Sequence, residues 1–241
     1  MNQKMNAIFN EMKKPKLTFD VFPSAAKEDV TTLSHIGGKP FIPVYEKHPL
    51  CHSCKQPLMF VFQLNVPFEP TKCHLFVFYY CFKCNPRNGN KGFMVKKYLN
   101  PKIKQANHHV FPSTVLYAPF DFELHWSLPD WETLTLLNRD VANYYYQADH
   151  EEFDVKYEED KNDFLEEISQ SYTFDTFSFY GGYPNFLSKP VIPSCDCCNQ
   201  KMDSWIQLDA YKEMNMEWDR LNPLHIFRCA NKNDNYKILI Q

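Results

Sequence analysis

Hydrophobic positions along this chain fall into short runs suited to strands. In MFVFQLN the two-residue period puts Phe60, Phe62 and Leu64 on one face and Val61, Gln63 and Asn65 on the other. The run HLFVFYYC, ending at Cys81, then reads as a returning strand. A second pair follows the same plan, with DSWIQLD setting Ser204, Ile206 and Leu208 against Trp205, Gln207 and Asp209, and LHIFRC returning to Cys229. Between the pairs, VFPSTVLYAPFDFELHW is strand-like and TLTLLNRDVANYYYQ is expected to be helical from about Trp131. The segment up to Lys14 suits a short helix stopped by Pro15. The pattern predicts an α+β, β-rich fold with few helices.

The two pairs belong to an internal repeat. Four of the six glycines fall in two G-G-x-P segments, Gly37-Gly38-Lys39-Pro40 and Gly181-Gly182-Tyr183-Pro184. Cys51 follows Gly37 by 14 residues, and Cys195 follows Gly181 by 14. Cys54 and Cys198 complete C-x-x-C pairs, and Gln63 and Gln207 keep the register. The expected architecture is therefore a duplicated antiparallel β-hairpin unit with C-x-x-C zinc-knuckle elements. Its boundaries are an amino-terminal extension over 1–30, a first unit over 31–146, an acidic linker or helix over 147–171, and a second, degenerate unit over 172–241. Gln63 and Gln207 read either as ordinary outward or hydrogen-bonded side chains of a half-exposed sheet face or, with Gly37, Gly38, Gly181 and Gly182, as candidate binding residues in a groove shared by the units.

In the first unit Cys51-x-x-Cys54 precedes one strand and Cys81-x-x-Cys84 ends the next, so an antiparallel hairpin gathers four thiols at one end. Four sulfur ligands suit zinc and close its coordination shell, which predicts a structural site with no open position for water. In the second unit Cys195, Cys198 and Cys229 match three ligands, while Lys232 stands where Cys84 stands. Cys197 or His225 could substitute, although Cys197 is adjacent to Cys198 and awkward for a relaxed knuckle. Whether this cluster holds metal is left open. Cys73, beside His74, reads as a packed thiol, and His108 and His109 point to opposite faces of a strand. No phosphate-binding loop, zincin helix or nucleophile elbow is present, so no catalytic residues are assigned.

Nine cysteines with no secretory signal pattern imply a reducing, cytoplasmic setting, and no run is long enough to span a membrane. The net charge of −3 does not favour nucleic acid. The alternative is an RNA-associated factor using the basic 83–104 stretch: Lys83, Arg87, Lys91, Lys96, Lys97, Lys102 and Lys104, with Phe93 and Tyr98. Segment 149–167 is strongly acidic and reads as a solvated helix or insert, with docking of a basic partner as the sharper possibility.

The runs SHIGGKPFIP, CHSCKQPLMFVFQLNVPFE and HLFVFYYCFKC, with FYGGYPNF, CDCCNQKMDSWIQLD and LHIFRCANKNDNYKILIQ, resemble the bacterial YwqG-like family. They are also similar to its superfamily relatives, eukaryotic programmed cell death protein 2 and ribosome-assembly proteins. The resemblance marks Gly37, Gly38, Pro40, Cys51, Cys54, Gln63, Cys81 and Cys84, then Gly181, Gly182, Pro184, Cys195, Cys198, Gln207, Cys229 and Gln241. It implies a protein-binding role, chaperone-like or toxin-immunity in type. The expected function is a non-enzymatic module with structural Zn2+ and a protein partner, and no small-molecule substrate is identified.

Overall fold

The computed structural model describes residues 10–21, 32–66, 75–99, 113–139, 142, 178–218, 222–231 and 234–241. Its strands are β1 (Lys14–Thr18), β2 (His35–Ile36), β3 (Met59–Leu64), β4 (Leu75–Tyr80), β5 (Asn88–Gly89), β6 (Phe93–Tyr98), β7 (Ala118–Pro119), β8 (Glu123–Ser127), β9 (Phe179–Gly181), β10 (Asp203–Leu208), β11 (Leu224–Arg228) and β12 (Tyr236–Ile240). They form a five-stranded sheet, β6-β4-β3-β2-β7, and a seven-stranded sheet, β5-β12-β11-β10-β9-β1-β8. Every pairing in both sheets is antiparallel. The expected β-rich class with few helices is observed.

The sheets pack face to face. Val61, Phe62, Leu64, Phe76, Phe78 and Tyr80 from the smaller sheet share one buried cluster with Trp205, Ile206, Leu208, Leu224, Ile226 and Ile238 from the larger. Burying each large side chain contributes roughly 1.5–3 kcal/mol, so this layer is the main source of stability. Each sheet also has a covered outer face. Phe60, Val77, Tyr79 and Cys81 pack beneath Phe41, Ile42 and Leu58, while Phe227 and Cys229 pack with Cys195, Met202 and Phe186.

Strict alternation fails in β3 and β10. The register shifts between Phe60 and Phe62 against β4, and between Ser204 and Ile206 against β11. A bulge sets two residues against one partner, so Val61 joins Phe62 on the inner face, and Trp205 joins Ile206. Phe60, expected beside Phe62, packs on the outer face instead.

The segment preceding each G-G-x-P run pads the opposite sheet. Strand β1 pairs with β9 and β7 pairs with β2, so Phe19 N–H donates to Ser178 O at 3.2 Å and Phe120 N–H to Ser34 O at 3.3 Å. The rings of Phe19 and Phe120 stack at 4.4 Å within the shared core. Together with β5 and β8, these crossings mean that the sheets do not divide the chain at one point along its length. At the amino-terminal end residues 10–12 are helical, and Pro15 lies inside β1.

Helix α1 (Trp131–Leu137) starts where the pattern places it, because the Asp130 side chain caps it by accepting from Thr133 N–H at 2.5 Å. The acidic 149–167 segment, Cys73, His108 and His109 lie outside the described residues.

Gly37 and Gly182 show why glycine is needed at the turns. Gly37 has φ +59°, and a Cβ there would sit 2.0 Å from Leu116 O; Gly182 has φ +65°, and a Cβ would press on Lys16 and Ser127. Gly37→Ala is expected to cost at least about 3 kcal/mol in urea unfolding, against about 1 kcal/mol for Gly89→Ala, where the backbone is strained but the space is open. A second expectation concerns acid. Burial holds His35 down to about 4, opposed in part by the Gly37 and Ile36 backbone. The unfolded chain therefore takes up this proton near pH 6.5 and the folded chain only near 4, so stability falls as pH drops through that window. Urea melts at pH 7 and pH 4 should show wild type losing up to about 3 kcal/mol more than His35→Phe, which removes the titrating imidazole.

Candidate metal centres

Each knuckle is built by the backbone. Cys51 N–H donates to Gln56 O at 2.8 Å and Lys55 N–H to Cys51 O at 2.9 Å; Cys195 N–H donates to Gln200 O and Asn199 N–H to Cys195 O, both at 2.8 Å. Lys55 and Asn199 close these turns with φ of 59° and 57°. Asn85 does the same after Cys84, with φ 42° and its N–H on Cys81 O at 2.8 Å. Such turns leave the thiols pointing inward from one side of the loop.

In the first centre Cys51, Cys54, Cys81 and Cys84 have all four sulfurs within 4.8 Å of one another. Cys51 Sγ lies 3.8 Å from Cys84 Sγ, and Cys54 Sγ 3.5 Å from Cys81 Sγ. A tetrahedral ion with bonds of about 2.3 Å would hold its sulfurs about 3.8 Å apart, so the arrangement fits one metal ion. Cys84 N–H also points at Cys81 Sγ, at 3.4 Å.

The second centre gathers Cys195, Cys197, Cys198 and Cys229 within the same 4.8 Å limit. Cys198 Sγ is 3.6 Å from Cys229 Sγ, and Cys195 Sγ is 2.9 Å from Cys197 Sγ. The fourth thiol is therefore Cys197, the residue expected to be awkwardly placed. His225 is not part of it and stacks on Phe186, ring centroids 4.9 Å apart. The neighbouring loops differ in length: residues 82–92 connect Cys81 to β6, whereas residues 230–235 connect Cys229 to β12, five fewer. Asn235 borders the second centre, its Nδ2 donating to Cys195 Sγ at 3.1 Å and facing Cys197 Sγ at 3.5 Å. The cue in the sequence was Cys197 itself, the middle cysteine of C-D-C-C.

Electrostatics favour one ionised sulfur per centre. Burial raises the Cys51 thiol, but N–H groups of Cys54 and Ser53 and the Cys81 and Cys54 thiols outweigh it, bringing it to about 7. Contact with the Cys197 thiol brings Cys195 down to about 6. Cys84 moves the other way, to about 12, chiefly through the Cys54 side chain. A metal ion would replace the remaining protons, so binding at either centre would release them.

The other candidate residues have different surroundings. Gln63 and Gln207 are buried, and each Oε1 accepts a backbone N–H at 2.8 Å, from Phe41 and Asn185 respectively. They lie on the outer faces of separate sheets, paired with Val77 and His225, so the expected shared groove is not where they sit. Gly37, Gly38, Gly181 and Gly182 form the two left-handed turns above them. In the basic stretch Lys96 is ion-paired with Glu46 and Lys97 with Asp234, and Lys102 and Lys104 fall outside the described residues.

The fold and centres define a β-rich protein of two antiparallel sheets with two cysteine tetrads, each able to hold a metal ion. The chain belongs to the family described as domain of unknown function (DUF1963), whose model matches residues 34–226. No curated protein matches the chain. Among the described residues no helix is long and apolar enough to cross a membrane.

Two metal equivalents are expected by elemental analysis of purified protein. Cys84→Ser should remove about one, and Cys197→Ser should weaken the other by at least tenfold in a chelator competition. Retention of two tightly held ions by Cys197→Ser would exclude that thiol as a ligand.

Proposed function

We propose that this protein is a zinc-ordered, non-enzymatic protein-binding module built from two diverged copies of one hairpin unit. The duplication is supported by contacts that repeat at an offset of 144 residues. These are the glutamine to backbone bonds, the knuckle turns, the bulges at Val61 and Trp205, and the bonds from Asn65 and Asp209 N–H to the Ser34 and Ser178 hydroxyls. Zinc is the metal of choice because eight thiol ligands make two sulfur-only, closed shells. The paired units and the first tetrad are also what the YwqG-like resemblance leads one to expect.

One observation carries the binding role. The loop between Gly182 and Cys195 is pinned at both ends, by the turn and by the second centre, and it presents Leu187 and Val191 at 54% and 48% exposure. Leu187 joins Leu136 of α1, itself 52% exposed, around an open cavity of about 820 Å3 floored by Phe186. Apolar side chains held rigidly in solvent lose little entropy on docking, which suits capture of a partner's apolar segment. A client chain or a toxin offering such a segment fits, in a cytoplasmic setting.

Crosslinking and mass spectrometry from native cells should recover a protein with wild type and lose it with Leu136→Asp/Leu187→Asp, a variant of the rim alone. Recovery of nothing above background, or equal recovery with the variant, would overturn the proposal.

A further inference from the structure

A sheet edge is a row of unpaired backbone groups, and the described residues leave four such edges, at β5, β6, β7 and β8. Three of them carry features that discourage further pairing. Strands β5 and β7 are two residues long, and β7 ends in Pro119. Strand β6 carries Lys96 and Lys97. Strand β8, ELHWS, has five residues, no lysine and no proline, and its register with β1 is unbroken, so no bulge twists it away. Its Leu124 and Trp126 are 59% and 57% exposed. Two residues apart in a strand, they stand on one face.

The backbone of β8 is open at the same residues. Pro15 has no N–H, and its carbonyl accepts from Gly182 N–H at 3.0 Å on the β9 side, so Trp126, its register partner, receives no bond from it. Antiparallel bonding alternates, and Leu124 and Trp126 therefore turn their N–H and C=O groups away from β1. Such a strand can pair with a second copy of itself about a twofold axis through His125. Leu124 then lies opposite Trp126 of the other copy in a hydrogen-bonded pair that the symmetry repeats, and each apolar side chain covers the other. Glu123 falls opposite Ser127 of the other copy, so no two carboxylates meet. Ser127 is paired in turn with Lys14, whose ammonium lies over the Tyr183 ring, 4.7 Å from the centroid, with no carboxylate beside it among the described residues. Opposite charges thus share a row. Leu124 also lines a cavity of about 540 Å3 with Pro15, Leu17, Tyr180 and Trp205, and the second copy's indole arrives on that same face.

We infer that β8 is the interface between two copies of this chain, joined edge to edge as an antiparallel pair that continues one seven-stranded sheet into the other. It uses residues separate from both metal centres and from the rim at Leu136 and Leu187. Full-length, metal-replete protein would be taken to sedimentation equilibrium over a range of concentrations, with hydrogen exchange of the Leu124 and Trp126 amides followed on the same samples. Wild type should reach a dimer, and both amides should exchange at least about tenfold more slowly as it forms. Trp126→Lys gives this edge the kind of charge that β6 carries and should raise the dissociation constant at least about tenfold; Leu124→Lys serves if that variant does not fold. A monomer at every concentration, which would leave the edge to a strand of another protein, would overturn the assignment. So would a dimer undiminished in a folded variant, or amides that exchange alike in monomer and dimer.

Discussion

The constraint on which the rest of the structure depends is the pair of left-handed turns at Gly37-Gly38 and Gly181-Gly182. There the backbone leaves a sheet, reverses, and runs across that sheet's outer face. Two successive residues with positive φ are inexpensive only for glycine, and close approach of Leu116 O at the first turn and of Pro15 O at the second excludes a side chain as well. The turn would leave the next backbone N–H buried and unmet. Gln63 and Gln207 supply the missing acceptors from the strand beneath, which is why a long amide sits in an otherwise apolar row. With the crossing fixed, the first cysteines reach the strand ends that carry their partners, and the tetrads assemble.

Much of this was legible because it is local and periodic. Glycine pairs, C-x-x-C spacing and apolar runs each report a short stretch of backbone, and the structure places β3, β4, β10, β11 and α1 where those runs predicted them. What was hidden depends on chain reversal at long range. Nothing in KPKLT says that β1 fills a gap beside β9, over 160 residues away in sequence. The bulges at Val61 and Trp205 were equally silent, since one extra residue inverts the facing of Phe60 without altering the alternating pattern. Cys197 looked awkward from relaxed knuckle geometry, yet the turn brings its Sγ to 2.9 Å from Cys195 Sγ, a local conformation that residue spacing does not report.

The two halves differ in ways that answer one another. The loop after Cys229 is five residues shorter than the loop after Cys81, and there Cys197 completes the tetrad while Asn235 Nδ2 donates to Cys195 Sγ. On the facing strands, Val77 and Tyr79 bury hydrocarbon and a phenol, while His225 and Phe227 bury an imidazole and a ring. Burial lowers His225 to about 3, partly opposed by the Gln241 backbone, so it stays neutral at any physiological pH.

The loop after Cys81 is what ties the centres together. It begins at Cys81 and Cys84, then lays β5 against β12, where Ile240 N–H donates to Arg87 O at 2.8 Å. Asn90 Nδ2 reaches Asp196 Oδ2 at 3.2 Å, and Asp196 stands between Cys195 and Cys197 and is held by Lys237 at 2.5 Å. The contact is exposed and worth little alone. Its importance is geometric: a metal ion at the first tetrad would fix Cys84, the root of a loop whose far end borders the second, and β5 from that same loop covers the edge of the larger sheet beside β12.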